Sequence, residues 1–380
     1  MAFLGLSHTT KTPARAVIDV GSDSIKAVIF AAGSGEKPPQ IFKKMVAKLP
    51  VAVSQERTIT KLREFLFVMV KELGRVPQKI TVALGPQIAE HRLLTWSVRP
   101  AEKGPLSREM LRRYFQNLIE QNREGTRHFT AHPVALFDNG YKVDPSDLES
   151  ASIYDLWFRT LLLYFPGEVG RVLADAKKIL GGMPIEFIPA VLAYEYAIVR
   201  SLNVAEALTV VVDGEETTIL YIQDGTIVGV AVFPMGARHF LRKISQVTNS
   251  SFLEAEDVKR QYASRMLDAG RSQKLQEHLG EEVSLWRKMF LDELDGFYHL
   301  GPIPEQIFLT GKGALLPELQ AVLRDAEWIK QFSYSVSPRV KIFEAQGLFQ
   351  GNTMNGLLRG VEESGLASLI IYSLHHEPIF

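Results

Sequence analysis

The chain has 380 residues, of which 46% are hydrophobic, and its 43 lysines and arginines balance its 43 aspartates and glutamates. That length allows roughly two to three domains, and the balanced charge gives no general attraction to nucleic acid or anionic lipid. The lack of cysteine excludes disulfides and thiolate metal sites and favours a cytoplasmic location. No apolar run reaches the about 20 residues of a membrane-spanning helix, and we expect residues 1–13 to be a flexible N-terminus.

The first predicted elements are two strands joined by a short turn, over residues 16–30. A Val/Ile run, a small hydroxyl-bearing turn and a second apolar run are typical of a tight hairpin, whose backbone N–H groups can face an anion. The candidate anion-binding residues are Asp19, Gly21, Ser22, Asp23, Ser24 and Lys26.

A separate module interrupts the regular succession of strands and helices in the first half of the chain. The periodicity predicts strands and helices in the order 41–47 (strand), 58–73 (helix), 79–84 and 90–98 (strands), 107–121 (helix), 135–143 and 152–164 (strands), 169–180 (helix), 185–188 (strand) and 189–201 (helix). The pattern changes at Gly85, where strand, helix, strand and strand succeed one another. We therefore interpret residues 85–165 as an inserted small α/β module.

The second half begins with a similar hairpin over 208–222, whose candidate site residues are Asp213, Gly214, Thr217 and Thr218. The elements predicted after it are a strand at 226–232, a turn ending at Gly236, a helical stretch at 253–297 broken near Gly270 and Gly280, a strand at 307–309, a turn containing Gly311, Lys312 and Gly313, and a helix at 317–325. Alternating strands and helices favour two α/β lobes.

Five segments carry a resemblance to the actin-like ATPase superfamily. They are Asp-x-Gly-x-x-x-x-Lys at 19–26, His-Pro with Asp-Asn-Gly-Tyr-Lys-Val-Asp-Pro at 132–145, Phe-Pro-Met-Gly at 233–236, Ala-Glu-Asp-Val-Lys at 255–259, and Phe-Leu-Thr-Gly-Lys-Gly-Ala at 308–314. Within the superfamily the chain resembles FtsA-like cell-division proteins and, more distantly, PilM-like proteins of type IV pilus assembly. The resemblance covers residues 16–358.

The resemblance implies an α/β, two-lobed actin-like fold, which is a duplicated ribonuclease-H-like fold with an inserted FtsA-type 1C subdomain (an SHS2 domain). The first lobe would comprise residues 14–84 and 166–203, and the inserted subdomain residues 85–165. The second lobe would comprise residues 204–380, with a helical IIB-like part at about 240–303.

The resemblance also implies ATP and Mg²⁺ as ligands, with Asp19 acting on Mg²⁺ through water. Residues 21–24 would line the phosphates, with Lys26 near the phosphate end. The remaining implied contacts are Asp213, Gly214, Thr217, Thr218 and Gly236 on the phosphate side, Glu256 and Lys259 at the ribose, and Gly311, Lys312 and Gly313 beside the base. These residues also have a purely structural interpretation. Asp19 and Gly21 would only form a tight turn, Glu256 and Lys259 an i,i+3 ion pair, and Gly311 and Gly313 a strand-to-helix turn.

The second hairpin departs from the family pattern. Val212 stands where the family has an aspartate, and Glu215 and Glu216 stand where it has glycines. Asp213 could replace the missing aspartate only if the strand bulges, because neighbouring strand residues point to opposite faces. Lys312 replaces a glycine of the adenosine loop. Since carboxylates repel a triphosphate, we expect ATP affinity no better than micromolar and at most weak ATPase activity.

Three functions remain open from the sequence. The FtsA-like interpretation is a scaffold that links a filament of FtsZ, the tubulin-like division protein, to partners and self-associates into filaments. A PilM-like adaptor would instead bind the cytoplasmic tail of a membrane protein in a groove beside the 1C subdomain. A sugar or acetate kinase of the same superfold would need an intact phosphate site, so the degenerate second hairpin argues against it.

The C-terminal segment, residues 365–380, is apolar but contains no Lys or Arg. A membrane-binding amphipathic helix normally has a basic face. We therefore expect this segment to pack against the second lobe, with direct membrane binding weak and any location at the inner membrane face depending on a partner.

Overall fold

The computed structural model describes residues 14–33, 38–49, 58, 60–65, 68, 78–99, 104–122, 128–150, 153, 155–167, 170, 175, 178, 184–349, 356–377 and 379. Its strands are β1 (Ala14–Val20), β2 (Ser24–Ala31), β3 (Gln40–Lys48), β4 (Lys79–Leu84), β5 (Glu90–Val98), β6 (His128–Asp138), β7 (Tyr141–Val143), β8 (Leu156–Phe165), β9 (Ile185–Pro189), β10 (Ala207–Val212), β11 (Thr217–Gln223), β12 (Thr226–Phe233), β13 (Gln306–Thr310) and β14 (Arg339–Ile342). Its α-helices are α1 (Arg108–Gln121), α2 (Ala190–Tyr196), α3 (Ala237–Thr248), α4 (Phe252–Ala263), α5 (Ala269–Asp295), α6 (Pro317–Arg324), α7 (Ala326–Ile329) and α8 (Ser364–His375). Of the expected helices at 58–73 and 169–180, the described residues 58, 60–65, 68, 170, 175 and 178 are helical, and the others lie outside the described residues.

Two five-stranded sheets repeat one topology. The first has the order β3-β2-β1-β4-β9 and the second the order β12-β11-β10-β13-β14. In each sheet an antiparallel hairpin is followed by parallel strands, because β1 pairs with β2 antiparallel and β4 parallel, as β10 does with β11 and β13. This repeat is the duplicated, two-lobed arrangement that the sequence predicted.

The inserted module forms a third sheet of four strands, with the order β5-β8-β6-β7. Helix α1 covers it, with Leu111, Phe115 and Leu118 buried in a small core of its own. Ser107 caps the helix by accepting a hydrogen bond from Met110 N. The far end of β8 is shared with the main body, since Leu161 and Leu163 lie in the cores of the larger sheets.

The structure differs from the sequence prediction at two turns. One strand was expected at 135–143, but Asn139 and Gly140, both with positive φ, turn the chain between β6 and β7. A break was expected near Gly280, yet α5 runs through it from Ala269 to Asp295. The helix continues because one face, including Leu275, Leu279 and Trp286, is buried, and that burial outweighs the low helix propensity of one glycine.

The C-terminal segment forms α8, whose apolar residues are buried as expected but against a different part of the fold. Its neighbours are chiefly β1 and α2 of the first lobe, and it also contacts the 3-10 turn Ala345–Leu348 of the second lobe. Arg15 of β1 donates a hydrogen bond to the carbonyl of Ser373. In the described part of the chain, no helix combines the length and apolar character needed to cross a membrane.

Candidate functional site

The turns of the two hairpins meet directly in the cleft between the lobes. Glu215 N donates a hydrogen bond to Ser22 Oγ at 3.0 Å. A Cβ atom on Gly214 would lie 2.7 Å from Ser22 Oγ and 2.8 Å from Asp23 Cβ, so only glycine allows this approach. The structure therefore brings the two predicted phosphate loops together, with protein atoms of each touching the other.

Asp213 faces the cleft without a bulge in its strand. The β10–β11 pairing is regular from Ala207 to Val212, and Asp213 is the first residue of the turn, with its N–H donating to Glu216 O at 2.9 Å. The expectation that Asp213 needs a bulge was wrong, because the regular strand turns Val212 toward the core and the next residue, Asp213, toward the cleft. Val212 points the other way and is buried in the core of the second lobe.

The floor of the cleft is a buried acidic cluster with one lysine. Burial raises the pKa of Asp19 to about 7 and also raises the pKa of Asp213. Burial disfavours the charged form of Lys26, but Glu363, Asp19 and Asp213 outweigh that effect and raise its pKa. Lys26 also donates to the carbonyl of Glu362, so its ammonium is shared between the protein's own acceptors.

The two glutamates that replace family glycines have different roles. Glu215 pairs with Arg238 at 3.3 Å and with Arg242 at 2.5 Å. Glu216 is buried, and that burial raises its pKa to about 8. The charge of Glu215 is thus balanced by two arginines, whereas Glu216 stays protonated, and therefore uncharged, near neutral pH.

Lys312 lies inside the cleft. Its ammonium forms an ion pair with the carboxylate of Asp23. Burial opposes the charged form of Asp23, but the adjacent Lys312 outweighs it and lowers the pKa of Asp23. Lys259 Nζ donates to Lys312 O at 3.2 Å, and Glu256 pairs with Lys48 of the first lobe at 3.2 Å.

The other predicted site residues have structural contacts in this arrangement. Thr217 Oγ1 donates to Met235 O at 2.6 Å and accepts from Trp286 Nε1 at 3.0 Å, so it bonds within the core of the second lobe. Thr218 lines the small cavity at the cleft floor, and Ser24 donates to Asp23. Glycines at 236, 311 and 313 pack tightly against the backbone or side chains of the second hairpin and Val212.

Protein groups occupy the space where the two hairpin turns meet. The cavity beside Asp19, Gly21 and Asp213 measures about 20 Å³, which is enough for about one water molecule. The first N–H groups of α3, which could bind an anion, donate to Asp213 O and Gly214 O at 2.7 Å. In the described residues no group of three or more acidic or histidine side chains could hold a metal ion, so Asp19 as a magnesium contact stays a prediction.

A much larger groove, of about 900 Å³, lies between the inserted sheet and the main body. One wall is formed by β6 and β7, the floor by α2 and the following π-helical turn (Ala197–Ser201), and the other side by residues after α8. Strand β7 pairs only with Leu136, Phe137 and Asp138 of β6. Among the described residues, no strand pairs with the earlier part of β6 on this side, so a strand edge borders the groove.

Polar groups line one end of the groove. Lys142 Nζ donates to Asp224 O at 2.6 Å, which connects the β6–β7 hairpin to the second lobe. Glu195 accepts a hydrogen bond from Ile227 N at 3.2 Å, and its burial raises its pKa to about 7. Lys142 lies in the motif quoted at 138–145, whereas Glu195, Asp224 and Ile227 were not singled out from the sequence. The Asn-Gly turn that creates the hairpin was a signal that could have located this wall.

No protein-family model and no curated protein match the sequence. Among solved structures, the chain is similar to one of a PilM–PilN type IV pilus biogenesis complex, at 14% identity over 95% of this chain and 97% of that chain, with a TM-score of 0.62. It is also similar to the ethanolamine utilization protein EutJ from Carboxydothermus hydrogenoformans (13% identity, 94% and 90% covered, TM-score 0.47) and to MreB 5 of Spiroplasma citri bound to AMPPNP (11% identity, 96% of each chain, TM-score 0.49).

The likeness to the pilus structure, together with the duplicated sheets, shows that the chain has the actin-like ATPase fold that its motifs predicted. Identities this low show the fold alone, and the other two TM-scores support no further conclusion.

Glu216 leads to a pH prediction. Its folded-state pKa of about 8 lies above its ordinary value of 4.5, so between these values the folded protein holds a proton that the unfolded chain releases. The stability from this group is fully present below pH 4.5 and is lost as pH rises through 8, with each unit of pKa difference worth about 1.4 kcal/mol. We expect Glu216→Gln to reduce this loss.

The measurement is urea unfolding of both proteins at several values between pH 5 and pH 9. Glu254→Gln is the control, since that carboxylate is fully exposed. A variant with the same pH dependence as wild type would show that Glu216 is charged in the folded protein. The comparison with the variant is needed because burial also raises the pKa of Asp19 and Glu195 to about 7 and lowers the pKa of His91 to about 4, so these groups titrate across the same range.

Proposed function

We propose that this chain is an actin-like adaptor that holds the cytoplasmic tail of a membrane protein in the groove beside the inserted sheet. The observation that carries the proposal is the contrast between the two concave sites. At the two hairpin turns the protein's own groups meet around a cavity of about 20 Å³, whereas the groove offers about 900 Å³, within the size range of ligand sites.

The lining of the groove suits an extended peptide. A peptide strand can add to the edge of β6 through the backbone groups other than those of Pro133, which has no N–H, and Val134, whose carbonyl accepts from Thr226 Oγ1 at 3.3 Å. Alternate side chains of that strand would enter the groove. Apolar contact is available from Val134, Val143 and Leu192, and polar contact from Glu195 and Lys142. A PilM of similar structure forms a complex with PilN, which supports a protein partner of this kind.

A peptide-binding experiment tests the adaptor role. We would measure fluorescence polarisation with synthetic cytoplasmic tails of PilN-like membrane proteins and with the C-terminal tail of FtsZ, both from the same organism. We expect a PilN-like tail to bind, and Val143→Trp, which adds bulk at the β7 wall, to weaken binding by about tenfold or more, equivalent to about 1.4 kcal/mol.

Val336→Trp is the matched control, because Val336 is 49% exposed and does not line the groove. It should bind the tail as wild type does. Equal binding by wild type and Val143→Trp would contradict the use of the groove.

The FtsA-like division scaffold is the second candidate. It is favoured by the inserted module, whose β6–β7 hairpin presents Tyr141 with 78% of its surface exposed, a feature suited to self-association. Binding of the FtsZ tail, with filaments that Tyr141→Ala abolishes, would favour this role over the pilus adaptor.

In either role we propose that ATP binds weakly or not at all and that turnover stays near background. Titration calorimetry with Mg-ATP and a phosphate-release assay test this. Brisk hydrolysis that Asp19→Ala abolishes would overturn it.

A further inference from the structure

We propose that Lys312 is a built-in counter-ion that holds the two lobes together, so that closure of the cleft requires no bound nucleotide. This inference concerns the cleft and is independent of the groove and of tail binding.

The Lys312–Asp23 pair joins the lobes at the centre of the cleft. Lys312 projects from the turn after β13 in the second lobe, and Asp23 lies in the β1–β2 turn of the first lobe. Only 17% of the Lys312 side chain and 9% of the Asp23 side chain are exposed. Breaking a pair this well shielded by removing one partner leaves a buried, uncompensated charge, so the pair strongly couples the positions of the two turns.

Both partners are oriented by further hydrogen bonds. Ser24 Oγ donates to Asp23 Oδ1 at 3.0 Å, which leaves Oδ2 for Lys312. On the other side, Lys259 Nζ donates to Lys312 O at 3.2 Å and anchors the glycine-flanked turn. Because the carboxylate and the backbone of the lysine turn are both fixed, the conformational freedom lost when the pair forms is mainly that of the Lys312 side chain.

Further polar contacts connect the lobes around this pair, among them the hydrogen bond from Lys26 to the carbonyl of Glu362. Arg238 Nη2 donates to Leu49 O at 2.7 Å, and Lys48 pairs with Glu256 at 3.2 Å. The backbone of Glu215 donates to Ser22, as described above. Several side chains therefore act together to fix one closed arrangement.

A bound ligand closes a two-lobed protein only by its greater affinity for the closed form. An ion pair within the chain also favours the closed form. It does so at any ligand concentration, because its two members belong to one chain and therefore have a high effective concentration for each other. A triphosphate would have to displace the carboxylate of Asp23 from Lys312 and then lie beside Asp23 and Glu216. The Lys312–Asp23 pair thus closes the cleft in place of a nucleotide and occupies the position that the phosphates would need.

Distance measurement between two labels tests this proposal directly. The chain has no cysteine, so Val46→Cys in β3 and Leu253→Cys in α4 would carry the only spin labels, one on each lobe, at positions 51% and 65% exposed. Pulsed electron resonance then gives the distribution of distances between the lobes. Lys312→Gln, Asp23→Asn, the double variant and Lys312→Arg would be compared in this background.

We expect one narrow wild-type distribution that millimolar Mg-ATP does not change. Lys312→Gln and Asp23→Asn should each shift it to longer distances, the double variant should shift it no further than either single variant, and Lys312→Arg should keep the wild-type distribution. Lys330→Gln, which removes an exposed ion pair within one short segment, is the control and should change nothing.

Circular dichroism would show that each variant retains its secondary structure. A wild-type distribution that shortens or narrows when Mg-ATP is added would overturn the proposal. So would folded Lys312→Gln and Asp23→Asn variants with the wild-type distribution.

Discussion

A chain truncated after Gly365 is expected to fail to fold. The truncation removes Leu366, Leu369, Ile370, Ile371 and Tyr372, each no more than 3% exposed. Burial of one such side chain contributes about 1.5–3 kcal/mol, so their sum rivals the whole free energy of unfolding of a typical domain, about 5–15 kcal/mol. Circular dichroism and thermal melting of the truncated protein measure the effect.

Single substitutions in α8 test whether its buried side chains, rather than the shortening of the chain, account for the loss of stability. Ile370→Ala should lower the free energy of unfolding by about 2–5 kcal/mol, and Leu374→Ala, at a half-buried position of the same helix, should lower it less. Vesicle co-sedimentation tests the alternative role of the segment. A truncated protein that melts like wild type but no longer binds anionic vesicles would show that the segment is a membrane anchor.

Gly236→Ala is expected to be strongly destabilising. A Cβ atom there would lie 2.5 Å from Glu216 N and 2.6 Å from Gly214 O. Both are backbone atoms of the second hairpin turn, so neither can move without displacing the turn. We expect a loss of about 3 kcal/mol in the free energy of unfolding, measured by urea denaturation.

Gly21→Ala is the matched control in the first hairpin turn. The nearest atom to a Cβ on Gly21 is Ser24 O at 3.5 Å, an ordinary contact. Its free energy of unfolding should change by less than about 1 kcal/mol. If Gly236→Ala and Gly21→Ala lower the free energy of unfolding equally, the close packing of α3 against the second hairpin is not what stabilises the turn.

The sequence predicted those parts of the fold that depend on local pattern. The β1–β2 hairpin was predicted, and it places Asp19 opposite Lys26. The helical part expected at about 240–303 covers most of α3, but the start of that helix at Gly236 was interpreted only as a turn, although its apolar residues follow the helical spacing. The break expected at Gly280 was wrong because a buried face, not a single residue, decides whether a long helix continues.

The contacts of the cleft could not be predicted from pattern. Asp23 and Lys312 are separated by 289 positions, and their pairing depends on how the two lobes are oriented. The groove was expected only through the resemblance to PilM-like proteins. Its lining combines the inserted sheet, α2 and residues after α8, and no local signal connects segments so far apart.

Hydrogen exchange with a bound tail tests the adaptor account most directly. The protein would be measured alone and with the tail peptide that binds it in polarisation assays. The account predicts that the peptide slows amide exchange in β6 and β7, the strands that border the groove. Protection confined to the hairpin turns at 213–216 and 311–313, with exchange in β6 and β7 unchanged, would contradict it.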